Sequence, residues 1–233
     1  MSLYSVTSQD CSHLDLGVTE LIIFDSDGVL VDSETIAVTV LAKAASEEGA
    51  AISVEEAIRS FRGLKMTDCV RAIERRLGRD VRETFIDDVR RATAFAFDAE
   101  LKPIDGIHAA LAEITDPICV ASNGPMAKLT HTLGLAKLLG RFEGRIFSAY
   151  EVGSWKPDPG LFLHAAQTMG VHPSRCIVVE DSVSGVQAAK AAGMRVLGFT
   201  GGDPETGLQL GAICGNLFHR MSDLPALLQD RVG

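Results

Sequence analysis

The first strong hydrophobic segment of the chain is a short apolar run, Leu21-Ile22-Ile23-Phe24, which polar residues and a glycine follow at once. An apolar run of this length that ends at turn residues predicts a short buried strand. After Asp32 and Ser33, either of which can cap a helix, apolar residues recur at helical spacing as far as Gly49. The pattern therefore predicts a strand, a polar turn and a helix.

The segment that follows shows further helical patterns and little strand signal. Ser53 and Glu56 have the spacing of a capping box, which marks the start of a helix. A second helical pattern covers residues 66–77 and stops at a glycine. Asp80 and Glu83 repeat the capping-box spacing ahead of another helical stripe. These patterns predict a group of helices inserted after the first strand.

Beyond about residue 101, strand and helix patterns alternate. The predicted strands are 117–121, 145–149, 176–179 and 195–199, and the predicted helices are 125–133, 159–169, 182–192 and 224–229. Such alternation is typical of a doubly wound, Rossmann-like parallel sheet. We therefore predict an α/β core of residues 20–34 and 102–233, an α-helical inserted domain of residues 35–101, and an N-terminal tail of residues 1–19.

Composition and charge narrow the classes of partner. The net charge of −9 disfavours nucleic acid, because phosphate backbones bind surfaces rich in Lys and Arg. No apolar run approaches the roughly 20 residues that cross a bilayer, and the polar start of the chain lacks the features of a signal peptide. Five dispersed cysteines without a C-x-x-C pair fit a reducing compartment. We expect a cytoplasmic protein that binds no nucleic acid and no membrane, as a monomer or weak homodimer.

Four polar features lie next to predicted strand ends or helix starts. They are Asp25-x-Asp27, Ser122-Asn123-Gly124, Lys156 and Glu180-Asp181. The carboxyl ends of parallel strands share one edge of the sheet, where α/β proteins bind ligands. We therefore expect the four features to converge on a single site.

The residue types in this cluster favour phosphoryl chemistry. Carboxylates crowd together only with a cation, since like charges repel, and oxygen ligands without His or Cys suit Mg²⁺. The Ser122 hydroxyl, nearby backbone amides and Lys156 can hold an anion, and a phosphoryl group is the anion that fits beside Mg²⁺. Asp25 is then placed to act as a covalent nucleophile, and Asp27 to exchange protons with the leaving oxygen and with water.

The ordered set of motifs resembles the haloacid dehalogenase superfamily, and the helical insert is similar to that family's first type of α-helical cap. The resemblance covers nearly all of residues 21–229. It implies that Asp25 attacks phosphorus to form an aspartyl-phosphate, and that Asp27 protonates the leaving alkoxide and later deprotonates water. An acid at position 27 indicates phosphate monoesters, because halide leaves without a proton.

The resemblance also implies ligands for the phosphoryl group and the metal. The phosphoryl oxygens would be bound by Ser122, Asn123 and Gly124, and Lys156 would neutralise charge beside the nucleophile. The Mg²⁺ ligands would be Asp25, the Asp27 carbonyl and Asp181, with Glu180 either completing this set or supporting it from outside.

Substrate choice is expected to depend on the cap. Arg62 and Lys65 could contact an anionic or polyhydroxylated leaving group, or they could form an ordinary solvated turn. The cap sequence resembles the phosphogluconate phosphatase-like branch, and the expected substrate is a small phosphorylated metabolite: a sugar phosphate, a sugar-acid phosphate or phosphoglycolate. Two alternatives remain. One is a phosphomutase of the β-phosphoglucomutase type, although its usual cap pattern Gly-x-Ser-Arg is absent at residues 63–66. The other is a non-catalytic protein that binds metabolites.

Overall fold

A six-stranded sheet forms the centre of the protein. The structure, a computed structural model, describes residues 19–61 and 64–229. The strands are β1 (Leu21–Phe24), β2 (Ile118–Ser122), β3 (Ile146–Ser148), β4 (Cys176–Glu180), β5 (Arg195–Phe199) and β6 (Leu217–Phe218). Every neighbouring pair is parallel, and the order is β3-β2-β1-β4-β5-β6. The predicted doubly wound α/β fold is confirmed.

Eleven α-helices accompany this sheet within the described residues. After β1 come α1 (Glu34–Glu47), α2 (Val54–Phe61), α3 (Met66–Leu77) and α4 (Phe85–Glu100). The others alternate with the remaining strands: α5 (Ile107–Glu113), α6 (Met126–Leu135), α7 (Ala149–Val152), α8 (Gly160–Thr168), α9 (Val183–Ala191), α10 (Pro204–Gly211) and α11 (Leu224–Gln229). Short 3₁₀ turns cover Leu139–Arg141, Pro173–Arg175 and Met221–Asp223. None of the helices in the described ranges has the length and apolar character that a membrane span requires.

Alternate residues of the central strand face two separate cores. Ile22 and Phe24 belong to a cluster with residues of α5, α6 and α11, while Leu21 and Ile23 belong to a cluster with residues of α8 and α9. A strand that is buried on both faces reads as a continuous apolar run rather than an alternating one. The apolar sequence of β1 therefore follows from its central place in the sheet.

The inserted helices have a hydrophobic cluster of their own. It includes Leu41 of α1, Ala57 of α2, Ile73 of α3 and Phe85 of α4. The chain enters and leaves this insert through two short segments that pair with each other, since Asp32 N donates to Lys102 O at 3.0 Å. The boundaries 35–101 for a separate domain stay a prediction.

The two capping boxes predicted in the insert have different outcomes in the structure. The capping box at Ser53 is confirmed, because Glu56 N donates to Ser53 Oγ at 3.1 Å. The capping box predicted at Asp80 is wrong, because α4 begins only at Phe85. Val81 N instead donates to Glu74 Oε1 at 3.3 Å, so this segment is bound to the end of the preceding helix.

Candidate active site

The sheet brings the predicted polar residues to one edge. Asp25 follows the last residue of β1, Ser122 ends β2, and Glu180 ends β4. Because β2 and β4 are the two neighbours of β1, these three positions are adjacent. The backbone of Asp25 extends the ladder, since its N–H donates to Val179 O at 3.0 Å. The site therefore lies where the strand order reverses, the usual ligand crevice of this fold.

Asp25 and Lys156 form a buried ion pair at the centre of the site. The residues are only 7% and 3% exposed, and Lys156 Nζ donates to Asp25 Oδ1. Burial raises the pKa of Asp25 to about 7, with Lys156 opposing the rise and Glu180 adding to it. Burial alone would lower the pKa of Lys156, but Asp25 and Glu180 raise it above its usual value. The lysine is therefore held as a cation against the expected nucleophile.

Glu180 has hydrogen-bond donors on both of its oxygens. Lys156 Nζ lies 2.5 Å from Oε1, while the backbone N–H and the hydroxyl of Ser182 donate to Oε2 at 2.9 Å each. The side chain is fully buried, and it fits only because residue 185 is glycine: a Cβ there would lie 1.8 Å from Oε1. Glu180 therefore holds Lys156 in place, and its expected role in or beside a metal site stays a prediction.

Asp181 belongs to the same cluster, and its carboxylate lies directly against Gly28. A Cβ on Gly28 would lie 1.9 Å from Asp181 Oδ2, and Gly28 has a φ of +83°, which glycine adopts without strain. Burial raises the pKa of Asp181 well above its usual value, and the neighbouring carboxylates of Glu180 and Asp25 raise it further. Asp25, Glu180 and Asp181 can each offer an oxygen within 4.8 Å of the others. Two buried carboxylates and a half-buried one, beside one lysine and with no His or Cys among them, form a donor set that fits Mg²⁺.

Asp27 is held by two side chains that come from different parts of the chain. Ser33 Oγ donates to Oδ1, and Lys128 Nζ donates to Oδ2 at 2.7 Å. Burial alone would raise the pKa of Asp27, but Lys128 and Ser33 bring it below its usual value. Sequence reasoning missed Lys128, because a lysine in the first turn of α6 has no pattern that separates it from a solvated one.

The Ser122-Asn123-Gly124 segment turns back toward Lys156. Ser122 Oγ accepts a hydrogen bond from Gly124 N at 3.2 Å. The side-chain oxygen of Asn123 accepts from Lys156 N at 2.9 Å, and its NH₂ group donates to Lys156 O at 3.4 Å. The Asn123 side chain therefore fixes the backbone of the lysine loop, and its predicted contact with a phosphoryl group stays a prediction.

The cap residues are less informative. Lys65 occupies the N-cap position of α3 and is exposed. Arg62, the other predicted contact with a leaving group, lies outside the described residues. The structure thus brings together Asp25, Lys156, Glu180 and Asp181, and the roles of the two cap cations stay predictions.

Comparison with known proteins agrees with this geometry. The family model described as haloacid dehalogenase-like hydrolase matches residues 19–193. The 6-phosphogluconate phosphatase of Escherichia coli K12 is 40% identical over 181 residues, which cover 77% of this chain and 82% of that protein.

Solved structures of this family have the same fold. A haloacid dehalogenase-like protein of unknown function from Agrobacterium tumefaciens is 38% identical, with a TM-score of 0.80 over 90% of this chain and 97% of that one. A putative β-phosphoglucomutase from Thermotoga maritima is 25% identical, with a TM-score of 0.76 over 92% of this chain and all of that one. The predicted family is confirmed: the chain belongs to the haloacid dehalogenase-like hydrolases.

Proposed function

We propose that this hydrolase is a Mg²⁺-dependent phosphatase that cleaves a small sugar phosphate or sugar-acid phosphate through an aspartyl-phosphate on Asp25. The observation that carries the proposal is the buried contact of Asp25 with Lys156, beside the Glu180 and Asp181 carboxylates. A carboxylate in this setting is rigid, shielded from water and next to a fixed cation, as covalent attack on a phosphate ester requires. The similarity to a 6-phosphogluconate phosphatase supports the substrate class.

In the first step, an Asp25 oxygen bonds to phosphorus and the bond from phosphorus to the ester oxygen breaks. Asp27 gives its proton to the departing alkoxide. In the second step, Asp27 takes a proton from a water molecule that attacks the phosphorus of the aspartyl-phosphate. This attack releases inorganic phosphate and restores the Asp25 carboxylate. The contacts of Asp27 with Ser33 and Lys128 lower its pKa, so they favour the ionised form that accepts the proton from water and oppose the protonated form that the first step uses.

The residues around this pair would bind and orient the phosphoryl group. Lys156 would offset its negative charge, and the Ser122 hydroxyl and the backbone N–H groups of Asn123 and Gly124 would donate to its oxygens. The side chains of Asp25 and Asp181 and the Asp27 carbonyl would hold Mg²⁺, with Glu180 in support. When bound, Mg²⁺ supplies positive charge that stabilises the phosphoryl group during transfer.

The helical insert would act as the cap that reads the leaving group. Two observations favour a unit of residues 35–101 that moves relative to the core. The insert has its own hydrophobic cluster, and the segments that enter and leave it pair at Asp32 and Lys102. Arg62 and Lys65, on the segment between α2 and α3, would supply charge toward the leaving group.

Phosphate release with Mg²⁺ tests the proposal on a panel of 6-phosphogluconate, hexose 6-phosphates, hexitol phosphates and phosphoglycolate. We expect activity on at least one ester, its loss in Asp25→Asn, and a fall of about 10²–10⁴-fold in Asp27→Asn, the usual contribution of acid–base catalysis. Both variants should keep the wild-type circular dichroism spectrum. A panel without activity, or activity that survives Asp25→Asn, would overturn it. Dependence on a sugar bisphosphate without net phosphate release would indicate a mutase.

A further inference from the structure

We propose that Lys128 is a positioning residue, which holds the Asp27 carboxylate in the orientation that proton transfer requires. The proposal rests on the proposed function, because it assigns Lys128 a task only if Asp27 is the acid and base. Lys128 lies 101 positions along the chain from Asp27, yet its Nζ is 2.7 Å from Asp27 Oδ2. Ser33 donates to the other oxygen, so each oxygen of the carboxylate has one donor.

Lys128 is anchored in a helix of the core. Lys128 lies in the first turn of α6, whose next residue, Leu129, is fully buried. Thr132 Oγ1 donates to the Lys128 carbonyl at 3.0 Å within the same helix. The Nζ atom also lies 5.9 Å from the centre of the Phe97 ring, which belongs to α4 of the insert. The lysine side chain therefore extends from a core helix to Asp27 and passes near one ring of the insert, with 29% of it exposed.

The turn holds the backbone of Asp27, but the carboxylate at the end of its side chain needs support of its own. Asp27 follows the end of β1 in the turn that leads to Val31, and 27% of its side chain is exposed. Without Lys128, the Ser33 hydroxyl would be the one remaining hydrogen-bond donor to this carboxylate among the described residues. Displacement of a catalytic group by about 1 Å can cost roughly 100-fold in rate. We expect a loss of this order from a misoriented acid.

Two esters separate positioning from other roles. The leaving alkoxide of 6-phosphogluconate needs a proton, whereas the nitrophenolate of 4-nitrophenyl phosphate departs without one. The quantity kcat/KM reports the steps up to departure of the leaving group. We expect Lys128→Gln to lower kcat/KM for the sugar ester by about 10–100-fold, through kcat rather than KM, and to leave the aryl ester nearly unchanged.

Three variants complete the test. Lys128→Arg, which keeps a positively charged donor, should recover most of the activity. In an Asp27→Asn background, Lys128→Gln should cause no further loss, because its effect passes through Asp27. Lys43→Gln, which removes an exposed lysine of α1, is the matched control for charge and should behave as wild type. The Lys128 variant should also fold, since partly exposed ion pairs add little stability.

Several results would overturn the proposal. Equal losses on both esters, a rise in KM alone, or additive losses with Asp27→Asn would show that Lys128 contacts substrate or supports the fold generally. If Asp27→Asn is impaired on the sugar ester and Lys128→Gln is not, the Lys128 proposal alone fails. If Asp27→Asn keeps wild-type kcat/KM for the sugar ester, the assignment of Asp27 in the proposed function fails, and the role of Lys128 fails with it.

Discussion

Replacing Gly185 by alanine is expected to displace the buried carboxylate that supports Lys156. A Cβ at this position would lie 1.8 Å from Glu180 Oε1, 1.9 Å from Cδ and 2.4 Å from Oε2. Glu180 has no room to withdraw, because it is fully buried and its oxygens accept hydrogen bonds from Lys156 and Ser182. The added methyl group therefore forces either the α9 backbone or the ion pair to move.

Two costs set the size of the effect. Overpacking a well-packed interior costs about 1–3 kcal/mol, and breaking a buried ion pair on one side costs about 3–5 kcal/mol. The strain can be relieved by giving up part of the ion pair, so the costs overlap and we expect a loss of about 3–5 kcal/mol. For a chain of this size, each kcal/mol lowers Tm by about 2–4 °C, which gives a fall of about 6–20 °C.

Thermal and urea unfolding provide the measurement. Far-UV circular dichroism follows the whole fold, and fluorescence of Trp155, the only tryptophan of the chain, follows the loop beside Lys156. Gly134→Ala in α6 is the matched control, because nothing lies within 4 Å of its added Cβ. That control should keep its stability or gain up to about 1 kcal/mol, the helix preference of alanine over glycine.

A shorter acid tests the cause directly. Glu180→Asp in the Gly185→Ala background should recover part of the lost stability, because the carboxylate withdraws from the new methyl group. The combined loss should then be smaller than the sum of the two single losses. Wild-type Tm in Gly185→Ala, or losses that simply add in the double variant, would refute the packing argument.

Three further substitutions test other parts of the structure. In urea unfolding, Phe85→Ala should lower the free energy of unfolding by about 3–5 kcal/mol, because this ring is fully buried. Phe95→Ala in the same helix should change it by less than about 0.5 kcal/mol, because this residue is 77% exposed. Equal losses in the two variants would contradict the described burial. Gly28→Ala should abolish Mg²⁺-dependent phosphate release from a folded protein, because its Cβ would occupy the place of Asp181 Oδ2; retained activity would contradict this. In a thermal shift assay, Mg²⁺ at about 100 times its Kd should stabilise the wild type by about 2.7 kcal/mol. The same Mg²⁺ concentration should stabilise the Asp181→Asn variant far less. Equal shifts in the two proteins would show that the ion binds away from Asp181.

The sequence was most informative where burial leaves few choices. The run at β1 and the strand over 176–179 are apolar throughout because both lie inside the sheet, and the structure has strands at both places. The polar residues directly after these strands could then be assigned to one edge of the sheet. The order of the elements alone thus predicted that Asp25 and Glu180 would meet, although they are 155 positions apart along the chain.

The sequence was least informative where a contact depends on a single long side chain or a short element. Lys128 resembles any helix lysine until the fold places Asp27 opposite it. The edge strand β6 has only two residues, too few for a periodic pattern, and α10 carries glycines that weaken a helix signal. The capping-box pattern at Asp80 is a local signal, whereas α4 begins only at Phe85 and Val81 N donates to Glu74 of the preceding helix.

The two aspartates of the first motif have different mechanical supports. Asp25 continues the ladder of the central strand through its hydrogen bond to Val179 O. Asp27 instead pairs with Val31, which in turn pairs with Pro103 on the segment that returns from the insert. The linkers that carry the insert therefore hold the expected acid and base, while the sheet holds the expected nucleophile.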